Sequence, residues 1–260
     1  MASPIPLRWR ALHLWKQGNA AADYEDAGAG DVPNGRFAVA DGASEASFAA
    51  IWARLLVEQF IAAPGKPWRS LDWLAPLRQQ WAAQVDGLPL PWYAEEKRDL
   101  GAFATFLGLV FRRSAAEPHG YWRALAVGDC CLFHTSGGRL VQAFPLTRSA
   151  DFGNRPRLLR SRPQGPDELD ARREQAQGRW KPGDRFLLMT DALAQWFLLR
   201  TEQGEAPLAE IRRLLTTTAP EAAFAEWVRE RREQSLLRND DVTLIVIDVT
   251  STTVTVAREG

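Results

Sequence analysis

The spacing of apolar positions changes along the chain between two residues and three to four, and these changes predict the elements. Residues 7–16 (LRWRALHLWK) predict a first strand. Residues 17–36 are small, polar and glycine-rich and are expected to be loop. RFAVA (36–40) is a short buried strand that Asp41-Gly42 breaks. From Ser44 onward Phe48, Ile51, Trp52, Leu55, Leu56 and Phe60 recur at helical spacing. A helix capped by Ser44 is expected to run to about Ala63, where Pro64-Gly65 stops it. A second helix near 70–86 gathers Leu71, Leu74, Leu77, Trp81 and Val85 on one face.

Four strands follow with no helix between them, at 101–113, 121–129, 131–136 and 139–144, with turns at Glu117-Pro118 and Gly137-Gly138. Strands joined this way pair antiparallel. From residue 145 to about 180 the chain predicts a long surface excursion, a lid or flap, because Arg, Pro and Gly dominate its first part. DRFLLMT (184–190) is a buried strand ended by Asp191, where a helix begins. Helices near 206–217 and 220–236 precede the clearest strand, 242–249, and 253–257 adds a short one. Helices in blocks, rather than alternating with strands, predict an α+β fold with helices packed on sheets, in one domain spanning 1–260.

With 260 residues and 46% hydrophobic content, the chain is large enough for a substantial core. Lys+Arg and Asp+Glu both number 32, so no net charge points to a nucleic-acid or anionic-membrane partner. No apolar run reaches the roughly 18–20 residues of a membrane span. The N-terminus lacks the features of a signal peptide, and the two cysteines, Cys130 and Cys131, are adjacent and form no disulfide framework. A cytoplasmic location is therefore expected. His13, His119 and His134 lack ligand spacing, APGKPW (63–68) is not a P-loop, and Ser44 does not stand in G-x-S-x-G. The remaining chemistry is acidic. Asp41, Asp129, Asp191 and Asp240 each adjoin a strand-like apolar run. Any one of them alone is an ordinary turn former. Several together, far apart in sequence, predict one acid cluster, whose usual counter-charge is a hard divalent cation.

Taken in order, YED (24–26), DG (41–42), GAFAT (101–105), VGD (127–129), MTDA (189–192) and DDVT (240–243) resemble the motif series of the metal-dependent Ser/Thr protein phosphatases of type 2C, the PPM family, in a divergent bacterial-type form. The resemblance covers nearly the whole chain. It implies a four-layer α-β-β-α sandwich, two packed antiparallel sheets flanked by helix pairs. It also implies a phosphoserine/phosphothreonine phosphatase in which two Mg²⁺ or Mn²⁺ ions activate a water for direct attack on phosphorus, with no side chain as nucleophile. By the same resemblance Asp41 bridges the two ions, the Gly42 carbonyl binds one, and Asp191 and Asp240 complete the other. Glu25 and Asp26 hold waters around them, and Asp129 serves a weaker third ion. The implied partner is a phosphorylated protein, a substrate of a cognate Ser/Thr kinase.

The chain departs from the family pattern at several positions. No Arg precedes Glu25-Asp26 within 19–23, so Lys16 is the nearest upstream base for gripping phosphate. Arg148, Arg155, Arg157, Arg160 and Arg162 of the expected lid are other candidates. A Lys acts as a point charge where Arg binds bidentately, so the exchange changes the grip. Ala43 stands where eukaryotic members have His, Ala192 replaces a Gly, and Phe103 replaces a small hydroxyl residue. Gln195 stands where a further acid is usual, which deprives the third ion of a ligand. Asp241, at the family's Asn, is expected to be a solvated turn residue. These departures motivate a second reading, a catalytically impaired pseudophosphatase that serves as a binding or regulatory module.

Overall fold

The computed structural model describes residues 5–43, 48–62, 72–89, 92–113, 119–153, 156–162 and 173–251. Along the chain come β1 (Leu7–Leu14), β2 (Ala27–Asp31) and β3 (Arg36–Gly42), then α1 (Ala49–Ala62), α2 (Leu74–Val85) and α3 (Trp92–Leu100). A run of strands follows: β4 (Phe103–Arg113), β5 (Gly120–Val127), β6 (Cys131–Ser136), β7 (Arg139–Phe144), β8 (Leu159–Arg160), β9 (Glu174–Trp180) and β10 (Arg185–Met189). Then come α4 (Asp191–Glu202), α5 (Pro207–Leu215), α6 (Pro220–Glu233) and β11 (Val242–Val249).

The strands form two antiparallel sheets, one ordered β1-β11-β10-β6-β7 and the other β2-β3-β4-β5-β9, with β8 paired to β4. Their facing sides enclose Phe37, Leu109, Phe111, Trp122, Phe186 and Ile247. Phe111 and Phe186 meet edge to face across this layer, with ring centroids 4.9 Å apart. On the outer face of the second sheet, Trp52, Phe60, Leu77 and Trp81 of α1 and α2 pack on Ala38, Ala40 and Phe106. On the outer face of the first, Trp196, Phe197, Phe224 and Val228 of α4 and α6 pack on Leu187, Met189 and Leu244. The layers run α-β-β-α, as expected. In β11, Leu244 and Val246 face the helices while Ile245 and Ile247 face the other sheet. Burial on both faces is why that strand reads as a continuous apolar run from Leu244 to Ile247. Each such side chain contributes about 1.5–3 kcal/mol of burial.

Three features differ from expectation. The loop assigned to 17–36 contains β2, whose sequence AGAGD lacks side chains large enough to set a period. Its glycines allow close packing: a Cβ at Gly30 would lie 2.5 Å from Phe37 Cδ1. Helix α3 was not expected, because WYAEEKRDL offers few apolar positions. The excursion at 145–180 is shorter than expected, since β8 pairs with β4 and the polar strand β9 pairs with β5 along its whole length. The expected cap Ser44, the stop at Pro64-Gly65, Leu71, the turn at Glu117-Pro118, Arg155 and the strand at 253–257 lie outside the described residues. Among the described residues no helix is long and apolar enough to cross a membrane. Both cysteines are free and buried.

Candidate metal centre

Antiparallel pairing brings alternate strand ends to the same rim. In the second sheet, Ala40 near the end of β3 lies opposite Ala27 at the start of β2 and Phe106 near the start of β4. Phe106 in turn faces Val127 at the end of β5. In the first sheet, Met189 at the end of β10 faces Leu244 of β11 and Cys131 of β6, and Leu14 faces Val242. Asp26, Asp41, Asp129, Asp191 and Asp240 each lie within three residues of one of these strand ends.

The five carboxylates affect one another electrostatically. Desolvation holds Asp41 well above the usual carboxylate range, and the charges of Asp26, Asp191, Asp129 and Asp240 push it further. Burial and Asp191 raise Asp129 to about 7. Burial also raises Asp26, with Asp241 and Asp191 adding to it, although hydrogen bonds from Thr243 and Thr190 oppose the shift. Asp191 is raised by burial, an effect that Arg238 partly offsets. An acid cluster that cannot ionise freely by itself has the character of a site completed by a cation.

Hydroxyls brace the acids. The Thr243 hydroxyl donates to Asp26 Oδ2 at 2.7 Å and accepts from the Tyr24 hydroxyl. The Thr243 amide donates to Thr190 Oγ1 at 2.9 Å, which ties β11 to the residue before Asp191. Burial, with Asp26 close by, raises the Tyr24 phenol well above its ordinary value and keeps it a neutral donor. Gly42 is required by contact: a Cβ there would lie 2.7 Å from the Glu25 carbonyl oxygen.

Asp241 is not a solvated turn residue. It is buried, with Oδ1 accepting from the Lys16 amide at 2.7 Å and Oδ2 from the Glu25 amide at 2.6 Å. It fixes the segments on either side of the loop after β1. Arg232 of α6 clamps the same region, donating to the Trp15 carbonyl at 3.0 Å and the Asp240 carbonyl at 2.5 Å. Lys16, Asn19, Asp23, Glu25 and Phe48 border a cavity of about 350 Å³, which places the candidate phosphate-binding lysine beside one of the candidate acids. Of the lid arginines, Arg148 pairs with Asp151 at 2.5 Å. Arg160 stands over the Phe103 ring at 5.3 Å, and Arg162 pairs with Asp86 and stands over Trp81 at 5.4 Å. These three have local partners away from the acids.

Among the described residues no group of three or more His, Cys, Asp or Glu side chains stands ready to hold a metal ion. Arg238 sits among these acids: its guanidinium pairs with Asp191 Oδ2 and lies 3.4 Å from Asp240 Oδ2. Burial works against the charge on Arg238, but Asp191, Asp240 and Asp41 outweigh it and raise its basicity. The other oxygens of this pair are also engaged, Asp191 Oδ1 by the Ala192 amide and Asp240 Oδ1 by the Asp241 amide at 3.1 Å. Across the cluster, Asp26 Oδ1 and Asp129 Oδ1 are buried without a hydrogen-bond partner. Orphaned carboxylate oxygens in an all-oxygen donor set fit a hard cation such as Mg²⁺ or Mn²⁺. Tyr24, Thr190 and Thr243 fall within the acidic motifs, but the sequence pattern assigns no role to them or to Arg232 and Arg238. Arg238 carried a visible signal, a base two residues before a candidate ligand.

The fold agrees with known proteins. The structure is similar to the catalytic domain of the serine/threonine protein phosphatase PstP in complex with two manganese ions, with TM-score 0.57 and 21% identity over 94% of this chain and 98% of that one. It is similar to PppA, a regulatory component of T6SS in Pseudomonas aeruginosa, with TM-score 0.55 and 20% identity over 94% and 98%. It is also similar to the PPM Ser-Thr phosphatase MsPP from Mycobacterium smegmatis in complex with cacodylate, with TM-score 0.53 and 16% identity over 95% and 100%. At these identities the likeness is one of fold. Among curated proteins none matches the chain. The family model described as protein phosphatase 2C matches residues 20–234, a span that holds every rim acid except Asp240, and on that match the chain belongs to the protein phosphatase 2C family of Ser/Thr phosphatases.

Proposed function

We propose that this chain hydrolyses phosphoserine or phosphothreonine in proteins, with two Mg²⁺ or Mn²⁺ ions held by Asp41, the Gly42 carbonyl, Asp191 and Asp240. When bound, the ions supply charge neutralisation for the phosphate and lower the pKa of the attacking water. Glu25 and Asp26 orient water, with Asp26 itself held by Thr243. Asp129 serves a third ion of lower affinity, and Lys16 steers the phosphate from the cavity it shares with Glu25. The observation that carries this reading is the placement of Asp26, Asp41, Asp129, Asp191 and Asp240 at separate strand ends on one rim, where burial and the neighbouring carboxylates raise Asp41 well above the usual range. No side chain is assigned as nucleophile, and the buried thiols of Cys130 and Cys131, both raised by burial, fit that assignment. Free buried thiols also accord with a reducing, cytoplasmic setting.

The test is turnover of a phosphothreonine peptide with Mn²⁺. Activity is expected in the natural chain, with a loss of about a hundredfold or more in Asp41→Ala and Asp240→Ala, as expected when a charge-stabilising group is removed from the transition state. Equal turnover in the variants would refute the assignment. A second reading, an impaired phosphatase that binds a phosphoprotein without hydrolysing it, draws on Arg238 standing between Asp191 and Asp240. It predicts phosphopeptide binding with no Mn²⁺-dependent turnover at all.

A further inference from the structure

The acids of the cluster differ in what balances them. Asp26 and Asp129 each keep a buried oxygen without a hydrogen-bond partner. Asp191 and Asp240, by contrast, share a partner: a single nitrogen, Arg238 Nη2, faces both Asp191 Oδ2 and Asp240 Oδ2. A cation held by these two carboxylates would have to face the same two oxygens. The guanidinium therefore stands in for a metal ion, tethered to the chain two residues before one ligand.

We propose that Arg238 is a built-in counter-cation that competes with the divalent ion for Asp191 and Asp240, so that this half of the centre loads second and more weakly than the Asp41 half. The inference rests on the dinuclear reading given above and concerns how that site fills. Arg238 has somewhere to go: its side chain is 41% exposed and lines a cleft of about 500 Å³ with Gln195, Leu199, Leu236 and Asn239. Gln195 offers a carbonyl acceptor there, at the position where a further acid is usual. Asp240 does not need to follow the arginine, because Arg232 holds its backbone carbonyl. One positive charge leaves and two arrive, so a sufficient cation concentration displaces the arginine, and below that concentration the second half stays closed.

Calorimetric titration with Mn²⁺ alone tests this, on the natural chain and on Arg238→Ala and Arg238→Gln, with unfolding temperatures taken in chelator. The natural chain is expected to bind one ion more tightly than the other. Both variants are expected to tighten the weaker step by about tenfold to a hundredfold, the range given by one or two charge-assisted contacts. The metal-free variants are expected to unfold at lower temperature than the natural chain, because two carboxylates lose their partner. Opposite signs for metal affinity and metal-free stability distinguish competition from simple bracing. Weaker or unchanged Mn²⁺ binding in both variants, with binding intact in the natural chain, would overturn the inference and leave the dinuclear reading standing. Absence of Mn²⁺ binding in all three proteins would remove both.

Discussion

The two oxygens of Asp241 accept from backbone amides of Lys16 and Glu25, which lie 225 and 216 residues away in the chain. An Asn offers one acceptor oxygen, and its amino group would then face an N–H donor. Two converging donors therefore account for a carboxylate at this position. Asp241→Asn is expected to cost about 1–2 kcal/mol and Asp241→Ala about 3 kcal/mol, since charge-assisted bonds are lost and amides are left unpaired. Urea unfolding midpoints measure both, and an unchanged midpoint in Asp241→Asn would mean that water replaces the lost acceptor. The order of acidic motifs was legible in the sequence because each acid adjoins an apolar run that marks its strand end. The role of Asp241 was not legible, because both its partners are distant along the chain and both are backbone groups. The same holds for Arg232, one of several arginines on α6, whose buried guanidinium meets carbonyls on two other segments.

At the scale of elements, β2 is a strand made by its neighbours. Gly28 and Gly30, two residues apart on one face of the strand, both meet neighbouring side chains, Thr243 and Ile245 near the first, Phe37 and Trp9 near the second. Gly30→Ala would place a Cβ 2.5 Å from the Phe37 ring and 3.1 Å from Trp9, and is expected to cost about 1–3 kcal/mol as those rings shift. Gly28→Ala meets Thr243 Cγ2 at 3.2 Å, a contact that small adjustments relieve, so its loss is expected to be smaller. Thermal denaturation of the two variants compares them, and equal losses would assign the cost to the backbone rather than to contact. Strands such as β4 and β11 were legible because their side chains are buried on both faces and must be apolar. The edge strand β9 was hidden by the opposite circumstance: it is mostly polar and exposed, and backbone pairing with β5 holds it in the sheet. Neither pairing nor close packing leaves a period in a sequence of small or polar residues.

At the scale of the molecule, a chain with 32 acidic and 32 basic residues concentrates five carboxylates at one rim against the guanidinium of Arg238. Without a divalent ion that concentration works against the fold, and its sign follows from Asp129. The folded-state value of Asp129 is raised to about 7 by burial and Asp191, against about 4 in the unfolded chain. The folded protein therefore holds a proton that the unfolded chain has already released. Asp129 contributes stability that is fully present below about pH 4 and is lost as pH rises through about 7. In chelator, the unfolding temperature is expected to fall between pH 5.5 and pH 8, and Asp129→Asn is expected to flatten that fall. A cation bound only by the folded state adds stability with concentration, about 2.7 kcal/mol at a hundred times its dissociation constant. Mn²⁺ binds ionised carboxylates, so its stabilisation is expected to be larger at pH 8 than at pH 5.5, reversing the slope seen in chelator. Differential scanning calorimetry at the two pH values, with and without Mn²⁺, reads all four conditions. If Mn²⁺ stabilises equally at both, the acids it meets are already ionised at pH 5.5, and the rim does not hold the excess of protons that its crowding requires.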